Sequence, residues 1–412
     1  MSQQLIQRNI WLSRLLDFRD SGIIKVVTGI RRCGKSRLLD LYRRHLLEDG
    51  VPAENIISMD FELMEFDSIR DYRELYAEIK KRFPEQGTIY LLLDEIQQVA
   101  GWEKAVVSLN AEGRCDICIS GSNAYLLSSE IATLLSGRYV EIRMLPLSFK
   151  EYLAFTAESG VNLSREELFR SYLKFGGFPA VPFLPQKEET IDEYLRGIYS
   201  TVVVKDILSR SPVRDPLLLE QISRYLLRET GNFISPNKIA GYINSSAKGS
   251  SCKNETVSRY ISALKSAYVV YEVQRFDLKG KEVLKTLSKY YAADTGIRTM
   301  LTGHSASDIG HVLETVVYLE LLRRGGEIYV GKCADGEIDF ISRRGTDVRY
   351  YQVASSLADP SVLSREVQPL LRLSDNYQKI LITGDTVYAP DYQGIRVVNI
   401  IDWLLETDAG VF

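Results

Sequence analysis

Histidine and cysteine are scarce in this chain, and long apolar runs are missing from it. The 412 residues include three His and five Cys. No His cluster or second Cys pair accompanies Cys115-Asp-Ile-Cys118. The further ligands that a zinc site needs are therefore missing from the sequence. We therefore expect these two cysteines to lie in a strand of the core. No apolar run approaches the roughly 18 residues that a membrane helix needs.

A strong net charge is also absent, as are repeats and low-complexity segments. The formal net charge is −3, so any basic surface that binds nucleic acid must be local. The N-terminal segment mixes Arg, Gln and Asp with Leu and Ile, unlike a secretory signal. The cysteines form no disulfide framework, which favours a reducing cytoplasm and no membrane partner. The length indicates two to four domains.

The segment Gly29-Ile-Arg-Arg-Cys-Gly-Lys-Ser36 matches the phosphate-loop pattern G-x-x-x-x-G-K-S/T. A β-branched run precedes it, and residues 36–47 carry Leu at helical spacing. Strand, glycine loop and helix together let backbone N–H groups and a helix N-terminus hold phosphates. The alternative is a glycine turn with a surface lysine. The residues expected to hold a nucleoside triphosphate are Gly29, Arg32, Cys33, Gly34, Lys35, Ser36 and Arg37.

A second motif follows about sixty residues later, where the apolar run Leu91-Leu-Leu ends in Asp94-Glu95. Such a run is typical of a strand buried on both faces of a parallel sheet. We expect Lys35 to reach the β- and γ-phosphates, Ser36 and Asp94 to hold Mg²⁺, and Glu95 to activate water. The alternative is a strand that ends at an exposed acidic turn.

Two further residues are candidates for the γ-phosphate. The strand ending at Ser120-Gly-Ser-Asn123 would place Asn123, or alternatively Ser122, between the loop and Glu95; loop capping is the simpler role. Arg138 would reach a neighbouring subunit's γ-phosphate and stabilise charge during hydrolysis, which implies a homo-oligomer. It is equally well explained as a surface salt-bridge residue.

These motifs resemble those of AAA-type P-loop ATPases. The resemblance covers residues 23 to about 150 and includes Leu145-Pro-Leu-Ser-Phe-Lys-Glu-Tyr152. The whole chain is similar to bacterial and archaeal ATPases with a C-terminal domain of unknown function, which are generally described only as ATP-binding. The resemblance implies ATP hydrolysis and supplies no substrate. The fold class is α/β, with a P-loop NTPase parallel sheet in an ATPase domain at 1–146.

A helical lid or connector is predicted at 147–230, and a winged helix at 231–300. Residues 232–285 carry nine basic and four acidic side chains, a balance of +5. In DNA-binding winged helices the second helix enters the major groove, so the expected nucleic-acid contacts are Thr256, Ser258, Arg259, Lys279 and Lys281. The alternative is a packing module that transmits nucleotide state.

Residues 301–412 resemble a restriction-endonuclease-like, PD-(D/E)xK α/β domain. Glu314, Asp339 and Gln352 would correspond to its site. The family's last strand carries an acid and a Lys, whereas this one reads Gln352-Val-Ala354. Lys332, on the preceding strand, is the candidate replacement for the lost cation. A degenerate domain kept for binding or packing is the alternative to a nuclease.

Three functions therefore follow from the sequence. The first is an ATPase that uses ATP and Mg²⁺ to act on nucleic acid through its C-terminal domains. The second is a signalling ATPase switch that binds a protein partner. The third is a structure-selective DNA nuclease.

Overall fold

The computed structural model describes residue 6 and residues 8–127, 134–135, 137–211, 213–246, 252–280, 282–305, 308–333 and 336–406. The chain forms two compact units. Unit 1 comprises Met1–Leu145 and Ser266–Tyr268, and unit 2 comprises Pro146–Lys265 and Val269–Phe412. Within the described ranges, every helix is too short or too polar to span a bilayer.

In its described part, unit 1 contains a five-stranded sheet in which all neighbouring strands are parallel. The strand order is β2-β3-β4-β1-β5. The prediction of a parallel α/β sheet is confirmed. The strands are β1 (Ile24–Thr28), β2 (Ile56–Asp60), β3 (Ile89–Asp94), β4 (Cys115–Gly121) and β5 (Tyr139–Arg143).

The central strands of unit 1 are buried along their whole length, as their apolar sequences predict. All residues of β1, β3 and β4 are buried, and Cys115 and Cys118 are among them. The described helices of this unit are α1 (Asn9–Leu16), α2 (Lys35–Glu48), α3 (Tyr72–Lys81) and α4 (Trp102–Ala111). Asp71 caps α3 by accepting from the N–H groups of Arg73 and Glu74.

The register of the sheet aligns the carboxyl ends of four strands. Asp60 pairs with Asp94 across β2 and β3, and Thr28 pairs with Gly121 across β1 and β4. Ligands of open parallel sheets bind outside the carboxyl ends of the strands. The loops after β1, β2, β3 and β4 therefore meet at one edge.

Unit 2 begins with helices and has two capping boxes. Ser148 and Ser164 each exchange side-chain and backbone hydrogen bonds with the Glu three residues later. A π-helical segment, Val202–Leu208, continues α7. The described helices are α5 (Phe149–Ser159), α6 (Arg165–Phe175), α7 (Glu188–Thr201), α8 (Pro216–Arg228), α9 (Pro236–Ser246), α10 (Asn254–Ser266), α11 (Thr295–Thr302), α12 (Ile309–Arg324), α13 (Pro360–Leu371) and α14 (Ile400–Leu405).

The sheet of unit 2 is mixed and, in the described residues, nine-stranded, with the order β13-β14-β12-β11-β10-β9-β7-β8-β6. The hairpin β7–β8 joins the later strands because β7 pairs in parallel with β9. The strands are β6 (Phe233–Ile234), β7 (Val270–Asp277), β8 (Glu282–Ala292), β9 (Glu327–Cys333), β10 (Gly336–Arg344), β11 (Asp347–Ala354), β12 (Gln378–Thr383), β13 (Asp391–Tyr392) and β14 (Ile395–Asn399).

The three predicted regions at 147–230, 231–300 and 301–412 all fall within unit 2. Its sheet contains strands from the second and third of them. The division into a connector, a winged helix and a nuclease-like domain stays a prediction.

Candidate nucleotide site

The loop between β1 and α2 has the backbone geometry of a phosphate cradle. Gly34 caps α2 with a φ of 108°, and the helix begins at Lys35. Gly29 has a φ of 144°, and a Cβ there would lie 2.2 Å from the carbonyl oxygen of Met144. Glycine is therefore required at this position, and the helix N-terminus opens toward the loop, where an anion is stabilised.

Arg8 supports this loop from the N-terminal segment. Its Nη1 donates to the carbonyl oxygen of Cys33 at 2.7 Å, and its Nη2 donates to that of Leu145 at 3.0 Å. The side chain is buried. Sequence reasoning missed Arg8 because the residue lies 25 positions before its partner, and no local pattern marks such a contact.

Lys35 lies close to backbone carbonyl oxygens of the loop and to the acidic pair formed by Asp94 and Glu95. Its Nζ donates to the carbonyl oxygen of Gly29 at 3.2 Å and lies 3.5 Å from Oε1 of Glu95. Burial alone would lower the pKa of this ammonium, but the charge of Glu95 raises it above the usual value. Lys35 therefore stays protonated where phosphate oxygens would bind.

Asp94 ends β3 beside two hydroxyl groups. Its carboxylate is hydrogen-bonded to Ser120 and to Ser36. Burial raises the pKa of Asp94. A hydroxyl and a carboxylate are hard oxygen ligands of the kind that Mg²⁺ takes beside substrate phosphates. Ser36 and Asp94 therefore fit the predicted magnesium site.

Glu95 occupies a constrained position directly after Asp94. Its φ of 50° is left-handed, and its N–H donates to Ser120 Oγ at 3.1 Å. Its Oε2 accepts from Gln97 Nε2 and, at 3.1 Å, from Ser122 Oγ. Burial would raise the pKa of Glu95, but the charges of Lys35 and Arg31 and these two hydrogen bonds lower it. The carboxylate is therefore ionised and aimed by its neighbours.

The structure distinguishes the two candidates that follow β4. Ser122 contacts Glu95, whereas Asn123 accepts from the N–H of Tyr125 at 2.8 Å and caps the turn. Both side chains are buried. Ser122, the alternative from the sequence, thus contacts Glu95 directly, and the choice between Ser122 and Asn123 for the γ-phosphate stays a prediction.

The other loop residues differ in exposure. Cys33 is buried, and burial raises the pKa of its thiol. Arg32 is exposed and has a φ of 67°. Arg37 has 58% of its side chain exposed and lies 3.5 Å from Asp40 of the same helix. Arg32 and Arg37 therefore lie at the rim of the site.

Arg138 lies at the opposite end of the sheet. Its side chain is exposed, and its carbonyl oxygen accepts from the N–H of Ile24 at 2.8 Å. Ile24 begins β1, whereas the phosphate loop follows Thr28 at the other end. Arg138 is therefore separated from its own chain's loop by the length of β1, and its role toward a neighbouring subunit stays a prediction.

The residues predicted to contact nucleic acid lie on α10 and after β7. Ser258, Arg259 and Lys279 are exposed, and Thr256 is half-buried. Arg259 donates to Oγ1 of Thr256 at 3.4 Å. Lys281 lies outside the described residues. The helix thus presents part of the expected face to solvent.

Glu314, Asp339 and Gln352 come together in unit 2. Asp339 donates from its N–H to Oε1 of Gln352 at 3.3 Å, and its Oδ2 accepts from the N–H of Val353 at 2.9 Å. Oε2 of Glu314 accepts from the hydroxyl of Tyr291 at 3.1 Å. Burial and, after it, the charge of Glu314 raise the pKa of Asp339 well above its usual value.

Lys289, which sequence reasoning missed, is the cation of this cluster. It is 2% exposed, and its Nζ lies 2.6 Å from Oε1 of Glu337. The charges of Glu314 and Asp339 raise the pKa of Lys289 against the effect of burial. By contrast, Lys332 has 43% of its side chain exposed and lies 3.7 Å from Asp277.

The donors of this cluster do not fit a metal ion. In the described part of the chain, no group of three or more His, Cys, Asp or Glu side chains is arranged to hold one. The ammonium of Lys289 is paired with Glu337, and the amide of Gln352 donates to Glu366 at 2.9 Å. The cluster is internally paired, so no metal-dependent step is derived from it.

Comparison with known families agrees with the geometry of unit 1. Residues 21–153 match the family described as an AAA domain. Residues 166–308 match a family described as a domain of unknown function, DUF8612.

Two relatives extend along most of the chain. An uncharacterized protein of Haemophilus influenzae is 40% identical over 408 residues, 98% of this chain and all of the relative. The uncharacterized protein MJ1544 of Methanocaldococcus jannaschii is 31% identical over 333 residues, 77% of this chain and 71% of the relative.

Among solved structures, the Walker-type ATPase PABY2304 of Pyrococcus abyssi has a TM-score of 0.51 at 17% identity. The alignment covers 72% of this chain and 95% of that one. This similarity shows a shared fold.

Proposed function

Because this chain carries an AAA domain and belongs to the same family as its Haemophilus influenzae and Methanocaldococcus jannaschii relatives, we propose that it hydrolyses ATP with Mg²⁺. One observation carries the proposal. Lys35 of the phosphate loop and Glu95 of the next motif are 3.5 Å apart over the carboxyl edge of a parallel sheet. A lysine for phosphates and a carboxylate for water are the two groups that this reaction needs side by side.

The residues of this site have separate roles in hydrolysis. The N–H groups of the loop and the start of α2 bind the phosphates, and Lys35 neutralises their charge. Glu95 accepts a proton from water as the water oxygen bonds to the γ-phosphorus. The bond from that phosphorus to the β–γ bridging oxygen breaks, and ADP and phosphate leave. When bound at Ser36 and Asp94, Mg²⁺ supplies charge neutralisation at the β- and γ-phosphates.

The test compares Lys35→Ala and Glu95→Gln in the full chain. We expect Lys35→Ala to abolish binding of a fluorescent ATP analogue, because the principal cation of the loop is gone. Glu95→Gln should bind as wild type does and lose roughly 100-fold or more in kcat, because an amide accepts no proton.

Lys81→Ala is the matched control, since Lys81 is a lysine on α3 with 74% of its side chain exposed. Normal turnover by Glu95→Gln would remove Glu95 from the mechanism. Unchanged binding by Lys35→Ala would contradict the nucleotide site itself.

We further propose that the ATPase acts on nucleic acid through unit 2. The supporting observations are the balance of +5 over residues 232–285 and the exposure of Arg259 and Lys279. Phosphate contacts by Arg and Lys make such binding fall steeply with salt. Nucleotide state would then be passed to the region that holds α9 and α10.

Added branched or single-stranded DNA should raise the ATPase rate several-fold. Arg259→Gln should weaken binding and lower the slope of log affinity against log salt by about 1, as expected for one lost phosphate contact. Arg224→Gln is the control, because Arg224 is a partly exposed arginine on α8 paired with Glu220.

The absence of stimulation and binding with every DNA and RNA tested would favour the second function, a switch that binds a protein partner. The third, a nuclease in unit 2, gains no support from the internally paired cluster around Lys289. Metal-dependent DNA cleavage that is lost in Asp339→Ala would restore it.

A further inference from the structure

Arg31, the third residue of the phosphate loop, is buried although it carries a charge. Its side chain is 5% exposed, and its Nη1 lies 2.6 Å from Oε1 of Glu62. Buried arginines are rare unless they are paired, and Glu62 itself is 36% exposed. The sequence motif leaves this position unspecified, so sequence reasoning gave it no role.

The position of Glu62 shows where the guanidinium lies. Glu62 follows β2, whereas Arg31 follows β1, and the strand order places β3 and β4 between these two strands. With about 4.8 Å between neighbouring strands, the pair bridges roughly 14 Å along the carboxyl edge. Arg31 therefore extends across the ends of β4 and β3, where Ser122 and Glu95 lie.

The electrostatics of the site agree with this placement. The charge of Arg31 acts on Glu95 and on Lys35, so the guanidinium lies within electrostatic reach of both side chains. One guanidinium thus acts on both groups that would flank the γ-phosphate.

We propose that Arg31 is a catalytic residue of this ATPase, an arginine that the chain supplies to its own γ-phosphate. The proposal rests on the ATPase function above. When ATP binds, the guanidinium exchanges Glu62 for the γ-phosphate oxygens. As the water oxygen bonds to the γ-phosphorus and the bond to the bridging oxygen breaks, Arg31 donates hydrogen bonds to the oxygens that gain negative charge. The proton of the water passes to Glu95.

This role differs from the one predicted for Arg138. Arg138 lies at the amino end of β1, about 16 Å from the loop by the rise of five residues. It requires a second copy of the chain, whereas Arg31 does not. Turnover per chain should therefore be independent of protein concentration.

The experiment measures kcat and ADP affinity for Arg31→Gln, Arg31→Lys and Glu62→Gln in the full chain. Arg31→Gln should lose roughly 100- to 1,000-fold in kcat while its ADP affinity stays within about threefold. Arg31→Lys keeps the charge without the planar fork and should lose at least roughly tenfold. Arg31→Lys also provides the measurement of kcat if Arg31→Gln does not fold.

Glu62→Gln separates catalysis from structure, because it breaks the ion pair and keeps the guanidinium. Its kcat should stay within about threefold of wild type. Arg44→Gln is the matched control, since Arg44 is an exposed arginine of α2 that pairs with Glu48. An equal loss of kcat in Glu62→Gln and Arg31→Gln would make Arg31 structural and overturn the proposal.

A mixing experiment tests whether the arginine acts within its own chain. Arg31→Gln retains Glu95, and Glu95→Gln retains Arg31, so activity restored on mixing would mean action between chains and would overturn the proposal. Unchanged kcat in Arg31→Gln would also overturn it and leave the ATPase function intact. A wild-type chain that hydrolyses no ATP would instead remove both proposals.

Discussion

At the scale of single residues, Gly29 makes the most specific demand on the sequence. Its φ of 144° is one that other residues rarely adopt, and a Cβ would lie 2.2 Å from the Met144 oxygen. Gly29→Ala should therefore lower the free energy of unfolding by at least about 2 kcal/mol, since strain and a backbone clash add. Thermal unfolding measures this change, and nucleotide binding should weaken with it.

Gly113→Ala is the comparison for this substitution. Gly113 has a φ of 72°, but nothing lies within 4 Å of the added Cβ. Gly113→Ala should lower the free energy of unfolding by about 1 kcal/mol, because only the left-handed backbone conformation opposes the added Cβ. Equal losses for the two variants would show that the contact with Met144 has no effect.

The residues of the local motifs could be predicted from the sequence. The contacts between residues distant in sequence could not. Two short motifs were predictable because each follows the end of a parallel strand. The sheet brings their residues, Lys35, Ser36, Asp94 and Glu95, to the same edge. Arg8 donates to the backbone carbonyl oxygens of Cys33 and Leu145, and no side-chain pattern in the sequence marks such contacts. Lys289 on β8, Glu314 on α12 and Asp339 on β10 lie on elements far apart in sequence, so their proximity was not predictable from local spacing, which favoured Lys332.

At the scale of elements, Asp294 links the end of α6 to the start of α11. Its carboxylate caps α11 by accepting from Gly296 and Ile297 and also accepts from the N–H of Gly177 at 2.7 Å. Burial nevertheless raises its pKa from 3.8 to about 6. The folded chain therefore holds this proton more tightly than the unfolded chain between those pH values.

The contribution of Asp294 to stability should fall as pH rises from about 4 to 6 and level off above. The full change is about 3 kcal/mol, from the shift of the pKa. Urea unfolding of wild type and Asp294→Asn at several pH values measures it, because Asn does not titrate. A difference between the two proteins that is constant with pH, or that rises, would contradict this assignment.

Strands and helices were themselves largely predictable, since apolar periodicity is local. The strands predicted before the phosphate loop, before Asp94 and before Ser120 are present as β1, β3 and β4, and the helix predicted over residues 36–47 is α2 (Lys35–Glu48). The pairing of β7 with β9 was not predicted. Such a pairing depends on hydrogen bonds between backbone groups distant in sequence, which the side-chain pattern of neither strand specifies.

At the scale of the whole molecule, the two compact units should unfold in separate steps. Trp11 and Trp102 are buried in unit 1, and Trp403 is buried in unit 2. Mg²⁺ and ADP at 100 times the dissociation constant should stabilise unit 1 by about 2.7 kcal/mol, because ligand binds its folded form. For a unit of this size the midpoint should rise by roughly 5–10 °C.

Tryptophan fluorescence of Trp403→Phe isolates unit 1, and Lys35→Ala in that background should remove the shift. Fluorescence of the variant Trp11→Phe with Trp102→Phe follows unit 2, whose midpoint should rise less with nucleotide than that of unit 1, because the nucleotide site lies in unit 1. A single transition that moves as a whole with nucleotide would contradict independent unfolding of the two units.

The pairing of β7 with β9 has a consequence for fragments of this chain. A recombinant piece that stops at residue 300 retains β7 and loses β9, which leaves the backbone groups of Arg275–Asp277 without their neighbour. The complementary piece from residue 301 has the same open edge on β9. Unpaired strand edges recruit other chains, so both halves are expected to aggregate more readily than the intact chain.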